Sequence, residues 1–266
     1  MIKLFTLEEE IDEAREYFLD ALTPLVFTAS DGTELPYRLY VPPFYDSSKG
    51  YPLHIHLHGM GLRGNDNCLQ LHKDSKQNQM LFAHQLQEPF LFVIPQCPEE
   101  YCWGAYMKKT IPWEPHDPVS IVDIPENPIT RAVYELTLAL TATYSIDRQR
   151  LYVSGASMGG CGCYELIYRY PDVYAGALIG CGYCDPAIAS QFAMTPIYLI
   201  HGADDTVIPV DYSRRMVAEL KKAGADFIYR EYPGRGHNFT DAPDGDALLS
   251  EGMRWIYTKK NTISVR

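Results

Sequence analysis

The sequence lacks any long hydrophobic run. No stretch approaches the roughly 18–20 apolar residues that a bilayer-spanning helix needs, and the N-terminus lacks the positively charged and apolar segments of a secretory signal. Instead, Thr6-Leu-Glu-Glu9 resembles a capping box and predicts an amphipathic N-terminal helix over residues 1–20. We therefore expect a cytoplasmic protein without a membrane partner.

Positive charge is also scarce. The chain carries 23 Lys and Arg against 34 Asp and Glu, a formal net charge of −11. Such a balance disfavours nucleic acid and anionic membranes as partners. The chain has no internal repeat, low-complexity tract or linker, and 46% of its residues are hydrophobic, which is ample for a buried core. We expect residues 1–266 to form a single domain.

The cysteines do not form a disulfide pattern. There are seven of them, and an odd number in a domain of this size favours reduced thiols. Cys161-x-Cys163 and Cys181-x-x-Cys184 have spacings that could suggest a metal site. However, the first pair falls on a predicted helix, where its spacing sends the two thiols to different faces. We expect buried structural thiols, no metal and no cofactor.

Apolar strands alternate with amphipathic helices along most of the chain. This alternation predicts an α/β fold with a mostly parallel central sheet covered by helices on both faces. The first two strands, joined by the turn Ser30-Asp-Gly-Thr33, are predicted to form a hairpin. Residues 95–128 are different, because they are rich in proline and aromatics and have little periodicity. We expect them to form a long functional loop, lying over the strand end at Ser157 that is described next. The predicted strands cover residues 24–28, 37–41, 53–58, 90–94, 151–154, 174–179, 196–200 and 226–232, and the predicted helices 79–87, 129–144, 161–170, 212–223 and 247–259.

One strand runs directly into a Gly-x-Ser-x-Gly sequence. The stretch 151–160 places Ser157 on a sharp strand-to-helix turn, with Gly155 and Gly159 where a Cβ would collide across that turn. The following helix directs its free N–H groups and positive dipole end towards Ser157, where negative charge would develop if the hydroxyl attacked a carbonyl. The pentapeptide alone could be a tight turn, so the hypothesis of a nucleophile needs partner residues.

Two later loops supply such partners. A serine nucleophile needs a histidine base, which in turn needs an acid to orient it, and in α/β sheets such groups lie at the carboxyl ends of strands. The strand 196–200 is followed by a loop with adjacent Asp204 and Asp205, and the strand 226–232 by a glycine-rich loop with His237. The order serine, acid, histidine predicts a catalytic triad of Ser157, one of these carboxylates and His237.

Five motifs follow one another along the chain: Leu57-His-Gly-Met-Gly-Leu-Arg-Gly-Asn-Asp-Asn67, Pro95-Gln-Cys-Pro98, Gly155-Ala-Ser-Met-Gly-Gly160, His201-Gly-Ala-Asp-Asp-Thr-Val-Ile-Pro209 and Gly236-His-Asn238. Their sequences and order resemble the α/β-hydrolase superfamily, in particular its esterase, phospholipase/carboxylesterase and prolyl-oligopeptidase-like branch. The resemblance implies the α/β-hydrolase fold, and no insertion suggests a large lid domain. The family pattern His-Gly-x-x-Asp-x-x-Val-Pro implies that Asp205 is the catalytic acid, with Asp204 as the less favoured alternative.

The same mechanics predict an oxyanion hole made of backbone N–H groups. One donor is expected to be the N–H of Met158, directly after the nucleophile. The other is expected in the loop of residues 59–67, which we call the Gly59 loop, with Met60 as the first choice and Gly61 as the second.

Three histidines, His54, His56 and His58, alternate along one predicted strand and so share a face. They could hold a metal, but no carboxylate pattern accompanies them. We expect His58 to order the Gly59 loop, and the other two to be satisfied in the interior or under a covering helix.

Aromatic residues are candidates for substrate contacts. Trp103, Tyr106 and Trp113 belong to the long loop, where they could form a wall for the acyl or alcohol group or simply pack the loop down. Tyr183 follows a strand end at which the family has its pocket wall, so it is a further candidate.

Together these patterns predict a serine carboxylic-ester hydrolase that acts through an acyl-enzyme on a small or soluble ester. One alternative is a serine amidase or peptidase of prolyl-oligopeptidase-like type, which is less favoured because no gating domain fits in 266 residues. Others are a feruloyl or acetyl-sugar esterase and a non-catalytic binding protein that keeps the fold. The sequence predicts neither the acyl group nor the oligomeric state.

Overall fold

The computed structural model describes residues 20–71, 84, 88–107, 120–241 and 245–261. Within these ranges eight strands form one sheet in the order β1-β2-β4-β3-β5-β6-β7-β8. Strand β2 is antiparallel to β1 and to β4, and all other neighbouring pairs are parallel. The predicted hairpin and the mostly parallel sheet are therefore confirmed. The strands are β1 Thr23–Thr28, β2 Glu34–Tyr40, β3 Tyr51–Leu57, β4 Leu91–Pro95, β5 Ile146–Ala156, β6 Gly176–Gly180, β7 Ile197–Gly202 and β8 Phe227–Tyr232.

Four α-helices in the described ranges connect or flank these strands. They are α1 Pro128–Thr143, α2 Met158–Arg169, α3 Asp211–Lys222 and α4 Gly245–Tyr257. Helix α1 begins where local chemistry favours a start, because the Asn127 side chain accepts a hydrogen bond from the N–H of Thr130 and proline occupies the first turn. All four were predicted from the sequence with boundaries a few residues different.

Hydrophobic side chains pack on both faces of the sheet. One cluster combines alternate strand residues such as Leu53, Ile55 and Leu57 with residues of α1, α2 and α3. The other combines the opposite strand positions, such as Phe92 and Tyr198, with α4. This alternation follows from the period of two in a strand. It confirms the prediction of helices on both faces.

Several sequence-based predictions fall on residues outside the described ranges. The N-terminal helix over residues 1–20 lies almost entirely outside them, as do the helix predicted over residues 79–87, apart from residue 84, and residues 108–119 of the long loop. The single-domain organisation of residues 1–266 remains a prediction. Among the described helices, none has the length and apolar character needed to span a bilayer.

All seven cysteines lie in the described ranges and are free thiols. Six are buried, and only Cys68 is exposed. These six agree with the predicted buried thiols, whereas Cys68 departs from that prediction.

Candidate active site

Ser157 sits between the end of β5 and the start of α2 in a strained backbone conformation. Its φ is 57° and its ψ −122°, and for a non-glycine residue such a positive φ costs on the order of 1–3 kcal/mol. Hydrogen bonds hold the turn: the Ser157 N–H donates to the carbonyl of Gly180 at 2.9 Å, and the Cys161 N–H donates to the carbonyl of Ser157 at 3.0 Å. The strain is thus maintained by the neighbouring strand and the first turn of the helix.

The two flanking glycines permit close backbone packing at this turn. A Cβ on Gly159 would lie 1.9 Å from the carbonyl oxygen of Leu57, at the end of β3. A Cβ on Gly155 would lie 2.5 Å from the carbonyl carbon of Gly159. The predicted collision across the turn is therefore confirmed for Gly155, whereas a Cβ on Gly159 would collide with the neighbouring strand β3.

A hydrogen-bonded relay joins three side chains from different loops. His237 Nε2 lies 2.9 Å from Ser157 Oγ, and His237 Nδ1 lies 2.7 Å from Asp205 Oδ2. Since Asp205 and His237 follow adjacent parallel strands, β7 and β8, their loops emerge side by side. The structure thus brings together the serine, histidine and acid that the sequence order predicted, in the geometry of a nucleophile, base and orienting carboxylate.

Close backbone contacts align the loops that carry the acid and the histidine. The Asp204 N–H donates to the carbonyl of Arg235 at 2.9 Å. A Cβ on Gly202 would lie 2.4 Å from that same carbonyl oxygen, so only glycine allows this approach. The Asp204 side chain is exposed, and Asp205, not Asp204, bonds His237.

The Asp205 carboxylate is buried and fully engaged. Its Oδ1 accepts the backbone N–H groups of Val207 and Ile208, both at 2.8 Å, and its Oδ2 lies 3.2 Å from His201 Nε2 as well as near His237. Burial acts to raise the pKa of Asp205, but hydrogen bonds from His201, His237 and Ile208 outweigh it and hold that pKa well below its usual value. The carboxylate is therefore ionised near neutral pH.

The Gly59 loop lies on the other side of Ser157 and is ordered by His58. The Cys97 N–H donates to His58 Nε2 at 3.0 Å, so the ring proton is on Nδ1, which lies 2.7 Å from the carbonyl of Gly59. Burial lowers the pKa of His58 to about 4, which keeps the ring neutral. These contacts support the expectation that His58 orders the loop. Met60 begins a short 3-10 turn there, and Met158 is the first residue of α2.

A cavity of about 510 Å³ opens in front of Ser157. Met60 and Gly61, the two candidate oxyanion donors of the Gly59 loop, both line it. Sequence reasoning did not single out several other lining residues, because Met107, Thr206, Val207 and Asn238 lie on loops without periodicity. Thr206 and Val207 could have been identified as lining residues, because they directly follow the acid Asp205 in the sequence. The described lining residues are Gly59, Met60, Gly61, Met107, Ser157, Thr206, Val207, Ile208, His237 and Asn238.

The aromatic candidates for substrate contact lie elsewhere. Trp103 is 1% exposed, and its Nε1–H donates to the carbonyl of His58 at 3.0 Å, so it packs the long loop down. Tyr183 is 5% exposed, and its carbonyl accepts the Tyr106 hydroxyl at 2.6 Å. Neither is among the described residues that line the cavity. Trp103 matches the alternative that it packs the loop down, and contact of either residue with substrate stays a prediction. Trp113 lies outside the described residues.

Cys181, Asp205 and His237 place possible metal-ligand atoms within 4.8 Å of one another. A metal would need a thiolate at Cys181, whereas burial raises the pKa of this thiol far above its usual value. The ligand atoms of Asp205 and His237 are already joined by their mutual hydrogen bond. The chemistry of the three side chains therefore favours the hydrogen-bonded relay over a metal centre.

A buried hydrogen-bond chain follows the other two histidines of β3. The Tyr257 hydroxyl lies 3.0 Å from His54 Nδ1, and the Ser154 hydroxyl lies 2.6 Å from His54 Nε2 and 2.9 Å from His56 Nδ1. Both histidines are almost completely buried. The expectation that they are satisfied in the interior is confirmed.

These buried histidines predict a loss of stability in mild acid. Burial lowers the pKa of His54 well below its usual value, that of His56 to about 3 and that of His58 to about 4. The unfolded chain titrates near the ordinary value of about 6.5, so it binds protons that the folded protein does not. The free energy of unfolding is therefore highest above that pH. It decreases as the pH falls towards 4, by up to about 1.4 kcal/mol per pH unit for each histidine. Urea unfolding at pH 7, 6 and 5 measures this slope.

A matched variant isolates one histidine in this titration. His56→Asn keeps a polar group for Ser154 but removes one titrating site, so the slope between pH 6 and 5 should decrease by up to about 1.4 kcal/mol per pH unit. An unchanged slope in this variant would show that His56 titrates normally in the folded protein.

Comparison with known proteins places the chain in a family. The sheet order, the strained serine turn and the hydrogen-bonded relay together define an α/β-hydrolase. More particularly, the chain belongs to the phospholipase/carboxylesterase family, whose model matches residues 47–242. This confirms the resemblance inferred from the motifs.

Similar proteins include esterases. Carboxylesterase SOBER1 of Arabidopsis thaliana is 28% identical over 99 residues, which are 35% of this chain and 43% of that protein. A crystal structure of a thermostable esterase is 31% identical, with a TM-score of 0.75, covering 91% of this chain and 64% of the other. A ferulic acid esterase from Anaeromyces mucronatus shares the fold at 16% identity, with a TM-score of 0.61 and 89% of each chain covered. The matches span about two fifths of the length of the curated carboxylesterase relatives.

Proposed function

We propose that this protein is a serine carboxylic-ester hydrolase that acts through an acyl-enzyme. The observation that carries the proposal is the relay from Asp205 through His237 to Ser157, with 2.7 Å and 2.9 Å between the joined atoms. Membership of the phospholipase/carboxylesterase family and the likeness to a thermostable esterase support it.

In the proposed reaction Ser157 Oγ attacks the ester carbonyl carbon while His237 Nε2 accepts the hydroxyl proton. Asp205, ionised and bonded to Nδ1, keeps the base nitrogen directed at the serine and stabilises the imidazolium that forms. His237 then gives the proton to the leaving alcohol oxygen as the carbon–oxygen bond breaks. Water, deprotonated by His237, attacks the acyl-enzyme and releases the acid and Ser157.

The tetrahedral oxyanion is proposed to be held by backbone N–H groups of Met158 and Met60. Met158 starts α2, where the helix leaves its first N–H groups without intrahelical partners and carries the positive end of its dipole. Met60 lines the cavity from the opposite loop. Such donors stabilise charge only as it develops, which is what accelerates the acylation step.

The cavity favours a small, uncharged ester. Its volume is about 510 Å³, and the apolar side chains that line it, namely Met60, Met107, Val207 and Ile208, surround a serine and a histidine. Among its described lining residues, no lysine or arginine is present to bind a carboxylate or phosphate group of a substrate. A short acyl chain is therefore expected to find apolar contacts, whereas an anionic group would lose water without gaining a partner.

We expect nitrophenyl acetate and butyrate to be hydrolysed with a higher kcat/KM than nitrophenyl palmitate. The reason is the limited cavity, which can bury a short acyl chain but leaves most of a long one in water. A prolyl nitroanilide and methyl ferulate, assayed at the same pH, test amide and aromatic-acid chemistry. Steady-state kinetics on the four classes provide the measurement.

Each arm of this panel decides one question. A preference for palmitate would contradict the small-ester assignment, and faster turnover of the prolyl amide would show a peptidase. No turnover of any substrate by folded protein would favour a non-catalytic role for the fold.

A further inference from the structure

A second buried histidine contacts the acid of the relay, at the same carboxylate oxygen as His237. His201 lies in β7, one residue before its end, and its side chain is fully buried. Its Nε2 is 2.9 Å from the carbonyl oxygen of Ile208 and 3.2 Å from Asp205 Oδ2. Both neighbours are acceptors, because Asp205 is ionised, so the proton is on Nε2. The Ile208 carbonyl oxygen is the nearer acceptor, and Asp205 Oδ2 is the second, longer contact.

The other ring nitrogen of His201 contacts helix α3. Ser213 Oγ lies 2.7 Å from His201 Nδ1 and is itself buried. When the ring is neutral with its proton on Nε2, Nδ1 can only accept, so the Ser213 hydroxyl donates to it. Ser213 thereby holds the orientation of the ring, whereas the two acceptors at Nε2 determine which nitrogen carries the proton.

His201 completes the hydrogen bonding of the carboxylate. Oδ1 of Asp205 takes two backbone N–H groups, and Oδ2 takes His237 and His201. A carboxylate has about four lone-pair sites, so these contacts fill them and oppose rotation of the group. Without His201, Oδ2 would have His237 as its one remaining partner among these contacts.

We propose that His201 is a positioning residue that acts through Asp205. Its Nε2–H fixes the carboxylate and draws part of the negative charge on Oδ2 away from His237, which tunes how strongly His237 holds a proton. This proposal rests on the proposed function. A continuous chain of contacts then runs from α3 to the nucleophile, through Ser213, His201, Asp205, His237 and Ser157.

The ionisable groups near this series of hydrogen-bonded side chains either have a partner already or are neutral. Glu231 lies opposite His201 in the register of β7 and β8, and the Arg214 guanidinium pairs with it at 2.7 Å. Cys181 lies beside Asp205, where burial raises the pKa of its thiol and keeps it neutral. Asp205 is thus the charged group that His201 contacts directly within the described part of the chain.

The test compares His201→Leu, which removes the donor, with His201→Gln, whose amide reaches a similar position and can still donate to Asp205. We expect kcat on nitrophenyl butyrate to fall on the order of tenfold to a hundredfold in the leucine variant, by analogy with residues that orient a metal ligand through a hydrogen bond. KM should be nearly unchanged, because His201 does not line the cavity. The midpoint of the acid limb of kcat/KM should move to higher pH, since His237 then faces the undivided charge. The glutamine variant should be close to wild type in all three.

Two further measurements keep the result decisive. Ser213→Ala leaves His201 in place but frees its ring, so an intermediate effect is expected even if the leucine variant does not fold. Imidazole proton–nitrogen NMR of the His237 Nδ1–H, which bonds Asp205, detects the same contact without turnover, and this resonance should shift in His201→Leu and Ser213→Ala.

The proposal would be overturned if the folded variants had the kcat, the acid limb and the NMR resonance of the wild type. A loss of kcat with an unmoved acid limb and resonance would also overturn it, because it would show a structural role alone. An inactive wild type would instead refute the proposed function, and the NMR shift would still decide the role of His201.

Discussion

Replacing Ser157 with alanine is expected to reduce ester hydrolysis on the order of a thousandfold or more, while leaving the fold intact. The variant loses the proposed attacking oxygen, which is also the group that His237 is proposed to deprotonate, so only substrate binding and the proposed oxyanion donors remain to assist water. Both alanine and serine have a Cβ, so the strained φ of 57° should be no costlier in the variant. Kinetics on nitrophenyl butyrate and circular dichroism measure the two effects.

Fluorophosphonate labelling identifies the nucleophile independently of turnover. The wild type should carry the label on the peptide that contains Ser157, and Ser157→Ala should not be labelled. Ser48→Ala is the matched control, because Ser48 is exposed and its hydroxyl bonds Asp46 at 2.7 Å, far from the relay in the chain. A Ser157→Ala protein that keeps the turnover and labelling of the control would overturn the assignment of the nucleophile.

The relay could be predicted because each member is tied to a strand end. Apolar strands are recognisable in sequence, parallel strands end at the same edge of a sheet, and so the loops with Ser157, Asp205 and His237 had to lie near one another. The strand β5 was the least well bounded. It begins at Ile146, but its first residues are mostly polar, and those at positions 148 and 149 are exposed. This part of the strand therefore lacks the apolar pattern by which a buried strand is recognised.

The cavity and the second histidine could not be predicted in the same way. Which loop side chains line a cavity depends on backbone conformations that local sequence does not determine, and Met107 reaches the site from a loop without periodicity. His201 was visible in a motif, but its role depends on Ser213, twelve residues further along and on a helix. For Trp103 the sequence left two roles open, a wall for the substrate or packing of the loop. The structure supports packing of the loop through a contact that sequence does not predict, the hydrogen bond from the indole N–H to the carbonyl of His58.

Replacing Gly159 with alanine is expected to destabilise the protein by at least about 3 kcal/mol and to reduce kcat on the order of a hundredfold. The new Cβ would lie 1.9 Å from the carbonyl oxygen of Leu57, which belongs to the backbone of β3 and cannot turn aside like a side chain. Overpacking of this kind typically costs about 1–3 kcal/mol, and a clash with backbone lies at or beyond the upper end of that range. Urea unfolding and steady-state kinetics measure the two losses.

The expected loss of kcat follows from which parts of the protein must move to remove this clash. To restore an ordinary contact near 3.4 Å, the start of α2 and the end of β3 must separate by more than about 1 Å, and a displacement of that size at reacting groups can cost on the order of a hundredfold in rate. The two proposed oxyanion donors lie on opposite sides of this junction, because Met158 begins α2 and Met60 follows β3.

Gly61→Ala is the control for stability, since a Cβ there meets no atom within 4 Å. Its free energy of unfolding should stay within about 0.5 kcal/mol of wild type. Equal stability of Gly159→Ala and Gly61→Ala would show that the turn does not need its glycine, and that the tight junction does not set the position of Ser157.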